Sequence, residues 1–274
     1  MHRIEDIGII GLGRMGSPMA RHLLANGFNV SGYDPDPMAG MAAGAAGVKL
    51  TDSCAQLAER SDAIILIVGF DNQIEQAVFG ENGVTAGARP GTVLLVASTV
   101  APGYMKALAD RVAPVGMTAI DIPVAGGEMA AESGKLRIFA GGDRDAVERC
   151  RPLLNTFSTR VDYLGAAGAG QTAKAINNML LWTCLVANVE GLDLGEALGV
   201  DREALREALC HGSGANWALE TRADERPALW AEKDMDLLLD EAQSAGCAMP
   251  VSQTVREAIA AFKKARGLPT PSME

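Results

Sequence analysis

Three places in this sequence carry residue types and spacings that could do chemistry. The first is Gly11-Leu12-Gly13-Arg14-Met15-Gly16, which has the GxGxxG spacing of a turn that cradles a dinucleotide pyrophosphate. Gly11 permits a tight turn, Gly13 lets backbone approach the phosphates, and Gly16 allows close packing of helix on strand. A helix starting there offers unpaired N–H groups and partial positive charge to the phosphates. The spacing alone also describes an ordinary tight turn. Here a strand pattern precedes it, a helical pattern follows it, and an acid stands downstream at Asp34. The Asp34 carboxylate, at the end of Val30-Ser31-Gly32-Tyr33-Asp34, can accept hydrogen bonds from the adenosine ribose hydroxyls and would repel a 2′-phosphate. Two unit charges about 4 Å apart at an effective dielectric near 20 interact by roughly 4 kcal/mol, an upper figure for an exposed cleft. Asp36 adds a second negative charge, and no Lys or Arg lies between Arg21 and Lys49. The sequence therefore favours NAD over NADP; the plainer reading of Asp34 is a solvated turn residue ahead of Pro35.

The second place is the pair Gly126-Gly127, whose backbone can come close to a ligand and offer N–H groups to a carboxylate, or can simply form a loop after a strand. The third is Lys174 with Asn178, four apart and so on one helix face. The neighbours Ala173, Ala175 and Ile176 read as buried, and a mostly buried lysine is costly. Taken alone, Lys174 reads more readily as a solvated helical lysine; the glycine-rich lead-in and Asn178 in register favour a functional one.

The elements that must position these residues alternate. Ile7–Ile10, Phe28–Tyr33, Ala63–Val68 and Val93–Ala97 are brief, β-branched runs flanked by Gly, Asp or Pro, as buried parallel strands are. Helical patterns at Met15–Asn26, Gln56–Arg60, Gln73–Phe79 and Tyr104–Val112 lie between them. Further strands are expected at Thr118–Asp121, Leu136–Ala140 and near Arg160–Tyr163, with a helix near Asp145–Leu154. Strand alternating with helix implies βαβ units and a parallel sheet. From Ala173 to about Leu198 one periodic stretch runs without proline, roughly 39 Å at about 1.5 Å per residue. Helices at Arg202–Cys210, Asp234–Ala245 and Val251–Arg266 follow. The expected fold is α/β: a Rossmann-type doubly wound parallel sheet over residues 1–164, then an all-helical domain over 165–274 for the substrate cleft and oligomerisation. The long helix needs support along its length, so it should pack between domains or across a dimer. The Ala- and Gly-rich stretch Met38–Gly47 is at most a mild low-complexity segment.

Composition excludes several classes. With 24 Lys and Arg against 34 Asp and Glu, the net charge of −10 makes a polyanion partner such as nucleic acid unfavourable. The 5 cysteines are scattered without a CxxC pair, so reduced thiols packed as small apolar groups are expected in place of disulfides or zinc. His2, His22 and His211 are isolated, without metal spacing, and Asp240-Glu241 reads as solvated helix surface. No run approaches the roughly 20 apolar residues that span a bilayer, and no signal peptide precedes Ile7, so a cytoplasmic protein is expected.

Read together, these segments resemble the β-hydroxyacid dehydrogenases, the 3-hydroxyisobutyrate dehydrogenase family. Ile10-Gly11-Leu12-Gly13-Arg14-Met15-Gly16-Ser17-Pro18-Met19-Ala20 resembles the family's opening. Ser98-Thr99 resembles its turn beside the nicotinamide, and Asp121-Ile122-Pro123-Val124-Ala125-Gly126-Gly127 its substrate loop. Gly168-Ala169-Gly170-Gln171-Thr172-Ala173-Lys174-Ala175-Ile176-Asn177-Asn178 resembles its catalytic helix, and Lys233-Asp234-Met235 the late element that closes over the cofactor. The likeness covers nearly the whole chain. It implies hydride transfer between NAD and a small 3-hydroxy acid or its semialdehyde. Lys174 would be the general acid/base and Asn178 its partner or the holder of the substrate hydroxyl. Ser98, Val124, Ala125, Gly126 and Gly127 would bind the substrate; Gly11 to Gly16, Asp34, Val68, Thr99 and Lys233 would bind the cofactor. A homodimer or homotetramer is implied as well.

Two departures bear on the site. Ala125 stands where a serine is usual, removing one hydrogen bond worth about 0.5–1.5 kcal/mol from the acid-binding loop. Val68-Gly69-Phe70 stands where a Leu-Pro pair is usual. Gly214-Ala215-Asn216-Trp217 is expected to face the substrate end of the cleft, with Trp217 itself read as core. The competing functions are an imine reductase, which shares this architecture but usually lacks the lysine, and a catalytically silent dinucleotide-binding module.

Overall fold

Short apolar runs bounded by Gly, Pro or Asp form strands here because both faces of each run find a partner layer. In the computed structural model, which describes residues 3–271, the chain divides into two compact units between Lys174 and Ala175. The first unit contains β1 (Asp6–Ile10), α1 (Gly16–Ala25), β2 (Asn29–Tyr33), α2 (Pro37–Ala45), β3 (Lys49–Leu50), α3 (Cys54–Ala58) and β4 (Ala63–Leu66). It continues with α4 (Asp71–Phe79), α5 (Val84–Gly87), β5 (Val93–Val96), α6 (Pro102–Val112), β6 (Thr118–Asp121) and β7 (Val124–Ala125). Last come α7 (Gly127–Glu132), β8 (Leu136–Gly141), α8 (Arg144–Leu154) and β9 (Ser158–Gly165).

The strand order is β3-β2-β1-β4-β5-β6-β8-β7, with β9 beside β8. The first six strands are mutually parallel and ordered as in a dinucleotide-binding doubly wound sheet. Alternation along each strand shows why the sheet is buried twice over. Ile9, Ile65 and Leu95 face one core with Met19, Leu23, Val147 and Leu154. Ile10, Ile64, Leu66, Leu94 and Val96 face the other with Leu57, Ile74, Met105 and Leu108. Burying both faces leaves the C-terminal ends of the strands as the open edge for a site, and the order reverses between β1 and β4.

The sheet is parallel-dominated, as expected, with antiparallel pairing confined to one margin at β6–β8 and β7–β8. The reason is local: the loop Ile122–Pro123 sends the chain into β7, and the short helix α7 turns it straight back as β8, antiparallel to the strand it has just left. The Ala- and Gly-rich stretch is a helix, α2, started by Pro37 and by Asp36, whose side chain accepts from Met38 N at 2.9 Å. Its low side-chain bulk hid the periodicity.

The unit boundary falls inside α9 (Ala169–Ala197), which starts one turn earlier than its apolar periodicity predicts and spans about 43 Å. The second unit adds α10 (Arg202–Cys210), α11 (Trp217–Glu220), α12 (Ala231–Ser244) and α13 (Pro250–Arg266) around a core of Leu185, Ala218, Ala231, Met235, Val255 and Ile259. Among its described residues there is no strand. Arg206 and Asp224, both buried, pair through two bonds of 3.0 and 2.9 Å and fix α10 to the turn after α11. Burial raises the Asp224 carboxyl, the Arg206 guanidinium lowers it, and the net effect is downward. No helix of the described residues is long and apolar enough to cross a membrane.

Candidate active site

The glycine turn follows β1, and each glycine is required for a different reason. Gly11 has φ +92°, and a Cβ there would lie 2.1 Å from Ile67 O. A Cβ on Gly16 would lie 1.9 Å from Gly11 O, so this glycine permits α1 to start against the turn. At Gly13 a Cβ would meet nothing within 4 Å: the constraint there is not protein packing but the open space the backbone faces. The N-cap residue of α1, Met15, makes no side-chain cap bond, and the first turn holds no acid. An uncapped helix start, an open glycine and exposed Arg14 form a cradle that fits a pyrophosphate.

Asp34 stands at the end of β2, where Gly11 N donates to Tyr33 O at 3.0 Å. Its carboxylate accepts from Leu12 N at 2.6 Å and from Asp36 N at 2.9 Å. It therefore braces the turn from below while remaining only half-buried. Arg14 pairs with Glu128 of α7 at 3.0 Å, both exposed. Beside the turn, after β4, Val68 N donates to Ser98 Oγ at 2.8 Å, and Gly69 N donates to Gln73 Oε1 at 2.9 Å. Gln73 thus caps α4 and shapes the loop that lacks the usual Leu-Pro. Thr99 is half-buried next to Ser98.

Ser98 is 4% exposed, and its hydroxyl accepts from Val68 N while reaching Leu66 O at 3.5 Å. That places it between two strand ends, holding loops in place, a different position from a hydroxyl offered to solvent. Val124 is buried with its carbonyl 2.8 Å from Lys174 Nζ, which donates to it. Ala125 is half-buried, and Gly126 and Gly127 are exposed with φ +115° and +72°. Two successive left-handed glycines aim backbone amides in a way that suits an anion.

The start of α9 is built quite differently from that of α1. Asp121, at the end of β6, is fully buried, and its carboxylate accepts from Gly168 N and Gln171 N, both at 2.9 Å. Burial raises this carboxyl above its ordinary range; the bonds from Gly168 and Gln171 pull it back in part. Room for the group comes from Gly141 and Gly170, where a Cβ would sit 2.7 and 2.8 Å from its oxygens. Gln171 is fully buried too; its Nε2 donates to Ser98 O at 2.8 Å and its Oε1 accepts from Val100 N at 3.2 Å. Lys174 is half-buried, as is Ala173, and Ala175 is buried. Ile176, expected to be buried, is 46% exposed, because two positions along α9 from the buried Asn178 it turns to nearly the opposite face.

In the second unit, Asn178 is buried and donates through Nδ2 to Asp234 at 2.8 Å. The same Asp234 oxygen accepts from Trp182 Nε1 at 3.0 Å, and Asn177 Nδ2 donates to Asn178 Oδ1 at 3.0 Å. The amide is thereby fixed in orientation. Lys233 is half-buried on α12 with its ammonium 5.6 Å over the Trp230 ring. Trp217 is a correction: read as core, it is 46% exposed, with Arg226 stacked 5.7 Å over it. The cause is Asn216, which exchanges two 3.0 Å bonds with Asn188 and caps α11, fixing the loop so that Ala218 and Leu219 take the inward positions.

His22 sits 3.1 Å from the carbonyls of Ala131 and Glu132, tying α1 to α7; His211 is exposed beyond α10, and His2 lies outside the described residues. All five thiols are free; burial raises Cys54 to about 11 and Cys150 to about 12, so neither is a nucleophile.

Comparison with known proteins agrees with this geometry. Residues 6–165 match the model described as the NAD binding domain of 6-phosphogluconate dehydrogenase. Residues 168–270 match the NAD-binding domain of NADP-dependent 3-hydroxyisobutyrate dehydrogenase. An L-threonate dehydrogenase of Cupriavidus necator is 34% identical over 263 residues, 92% of this chain and 89% of the relative. The chain belongs to the β-hydroxyacid dehydrogenase family. It is a nicotinamide-dependent oxidoreductase of the dehydrogenase class. An NAD-dependent L-serine dehydrogenase of Pseudomonas aeruginosa is 34% identical over 217 residues, 79% of this chain and 73% of the relative. A solved Mycobacterium tuberculosis 3-hydroxyisobutyrate dehydrogenase, described with L-serine, superposes with TM-score 0.88 at 29% identity, covering 97% of this chain and 96% of that one.

Sequence reasoning quoted Asp121 and Gln171 within motifs without giving either a task. A polar residue in an otherwise apolar strand end is a signal for the first. Nothing local marks the second.

Proposed function

We propose that this β-hydroxyacid dehydrogenase interconverts a small 3-hydroxy acid and its semialdehyde with NAD, using Lys174 as the proton acceptor and donor. The observation that carries this reading is Lys174: a half-buried lysine early in α9, its Nζ held at 2.8 Å by the carbonyl of Val124, directly before the Ala125-Gly126-Gly127 loop. The Val124 carbonyl holds the amine in place at the head of the glycine loop, and a lysine amine held there can exchange a proton with a substrate oxygen. NAD, when bound in the Gly11–Gly16 cradle, supplies the hydride acceptor.

In the oxidative direction, neutral Lys174 takes the hydroxyl proton as the carbinol carbon gives up its hydrogen with the bonding pair. In the reductive direction the ammonium returns that proton to the forming alkoxide. A free lysine near about 10.4 carries its proton at neutral pH, so the first role requires the amine to give that proton up before substrate turns over. The exposed Gly126 and Gly127 amides take the substrate carboxylate, and Ser98 supports the nicotinamide-side loop through Val68 N, a backing role in place of direct contact with the acid. Val68 and Thr99 face the cofactor in this reading, and the family likeness assigns Asn178 to orienting the lysine or holding the substrate hydroxyl, and Lys233 to the cofactor. Asp34 and Asp36, with no Lys or Arg between Arg21 and Lys49, favour NAD over its 2′-phosphorylated form.

The test is a panel of L-serine, L-threonate, 3-hydroxyisobutyrate and glycerate followed by NADH formation, with NADP in parallel. Lys174→Ala should lower kcat about 10²–10⁴-fold with dinucleotide binding retained. Full turnover in that variant removes the proposed chemistry, and no turnover of any hydroxy acid by the wild type would favour a silent binding module.

A further inference from the structure

The first turn of α9 is held by more contacts than a helix of its length requires, and they converge on Gln171. Its side-chain amide makes two bonds to a single three-residue turn, donating to Ser98 O at 2.8 Å and accepting from Val100 N at 3.2 Å. Those are the two backbone groups that an adjacent strand would pair just beyond β5; the amide occupies the place of a strand residue. Its backbone N–H donates at 2.9 Å to Asp121 at the end of β6. Ser98 in turn accepts from Val68 N at 2.8 Å, in the loop after β4. One fully buried residue therefore ties the start of α9 to the turn after β5 through its side chain and to the end of β6 through its backbone, with Ser98 linking that turn to the loop after β4. Lys174 follows three positions later, on the same side of the helix, and reaches the loop after β6 through Val124 O.

We infer that Gln171 is a positioning residue for the reaction: it sets the placement of Lys174 relative to the Val68 and Ser98–Thr99 loops. This rests on the reading of Lys174 as proton acceptor. The amide touches no reacting atom, so its effect passes through the helix turn that carries the lysine. Reacting groups must meet within a few tenths of an ångström, and a misplacement of about 1 Å costs about 10²-fold in rate. Two residues that act as one unit are non-additive when removed together.

The experiment is a double-mutant cycle on kcat per folded molecule, with the active fraction counted by NAD titration and the fastest hydroxy acid of the panel as substrate. Pre-steady-state NADH formation at high enzyme concentration reads the slow variants. Gln171→Met, which keeps length and removes both bonds, should lower kcat about 10²-fold while KM changes less than about threefold. In the Lys174→Ala background the same substitution should change the residual rate by less than about twofold. An equal loss in both backgrounds, or an unchanged kcat in the Lys174 background, overturns the inference and leaves Gln171 with a fold-holding role only. If Gln171→Met does not fold, Gln171→Glu serves in the same cycle, since it keeps the shape and an acceptor for Val100 N while setting an oxygen in place of the donor to Ser98 O. Failure of the underlying reading shows separately, as wild-type turnover in Lys174→Ala alone.

Discussion

Two helices in the first unit start at the C-terminal edge of the same sheet, and their N-termini are treated in opposite ways. At α1 the first N–H groups have no side-chain cap and no acid in the first turn, and the backbone of Gly13 faces open space. At α9 the corresponding groups are taken by the buried carboxylate of Asp121, inside a pocket cleared by Gly141 and Gly170. The macrodipole favours an anion in both cases. The chain supplies that anion at α9, the helix that carries Lys174, and supplies none at α1, where the proposed function puts a diphosphate. An open helix start is thus a statement about a ligand, and a closed one about geometry.

The comparison can be broken most severely at Gly11. Gly11→Ala combines a left-handed backbone with a Cβ 2.1 Å from Ile67 O, and should destabilise by about 3 kcal/mol or more, read as loss of folded protein or a collapsed Tm. Next is Asp121→Ala, which strips the closed helix start and leaves Gly168 N and Gln171 N buried without partners. A loss of about 2–4 kcal/mol in denaturant unfolding is expected, against near-neutrality if water replaces the carboxylate. Gly13→Val sharpens the contrast: Tm should hold, because a side chain there meets nothing within 4 Å, while the Kd for NAD by fluorescence titration rises at least about tenfold. A Tm loss without a change in Kd would refute the cradle.

Smaller effects follow. Asp34→Ser should narrow the NAD-to-NADP ratio of kcat/KM by about tenfold, from lost repulsion of the 2′-phosphate. It should also cost about 1 kcal/mol of stability through the bond from Leu12 N. The smallest concerns pH. The Asp121 carboxyl titrates above its unfolded value, so the native state holds that proton more tightly. Its contribution therefore weakens as pH rises from about 4 through the raised native value. The stability gap between wild type and Asp121→Asn should shrink over that rise; a gap that widens would mean the two N–H bonds outweigh desolvation. Glu232, lowered chiefly by its bond from Lys263, gives the opposite slope, with stability present at neutral pH and lost on acidification below about 4.

Much of the nucleotide half was legible because its signals are local. Gly11, Gly13, Gly16 and Asp34 lie within one βαβ stretch, and strands such as Ile7–Ile10 and Val93–Val96 declare themselves by apolar runs too short for helices. Lys174 and Asn178 were legible as a helical pair, though Lys174 became a candidate only through the segment around it. The reading failed where neighbours in space decided the outcome. Ile176 and Trp217 were assigned to the interior by residue type, yet both are half-exposed, because helix phase and the Asn188–Asn216 pair determine which residues turn inward. Helix α2 was missed since alanine and glycine carry no contrast between faces.

By itself the sequence determined the strand and helix alternation, the open turn after β1 and the lysine in its helix, since each depends on residues within a few positions of one another. Only the tertiary structure decided what those residues lean on. Asp121 meets Gly168 and Gln171, and Gln171 meets Ser98 and Val100, across separations of 47 to 73 residues. Hydrogen bonds over such distances have no periodicity to read; they exist because the parallel sheet brings the ends of β4, β5 and β6 side by side.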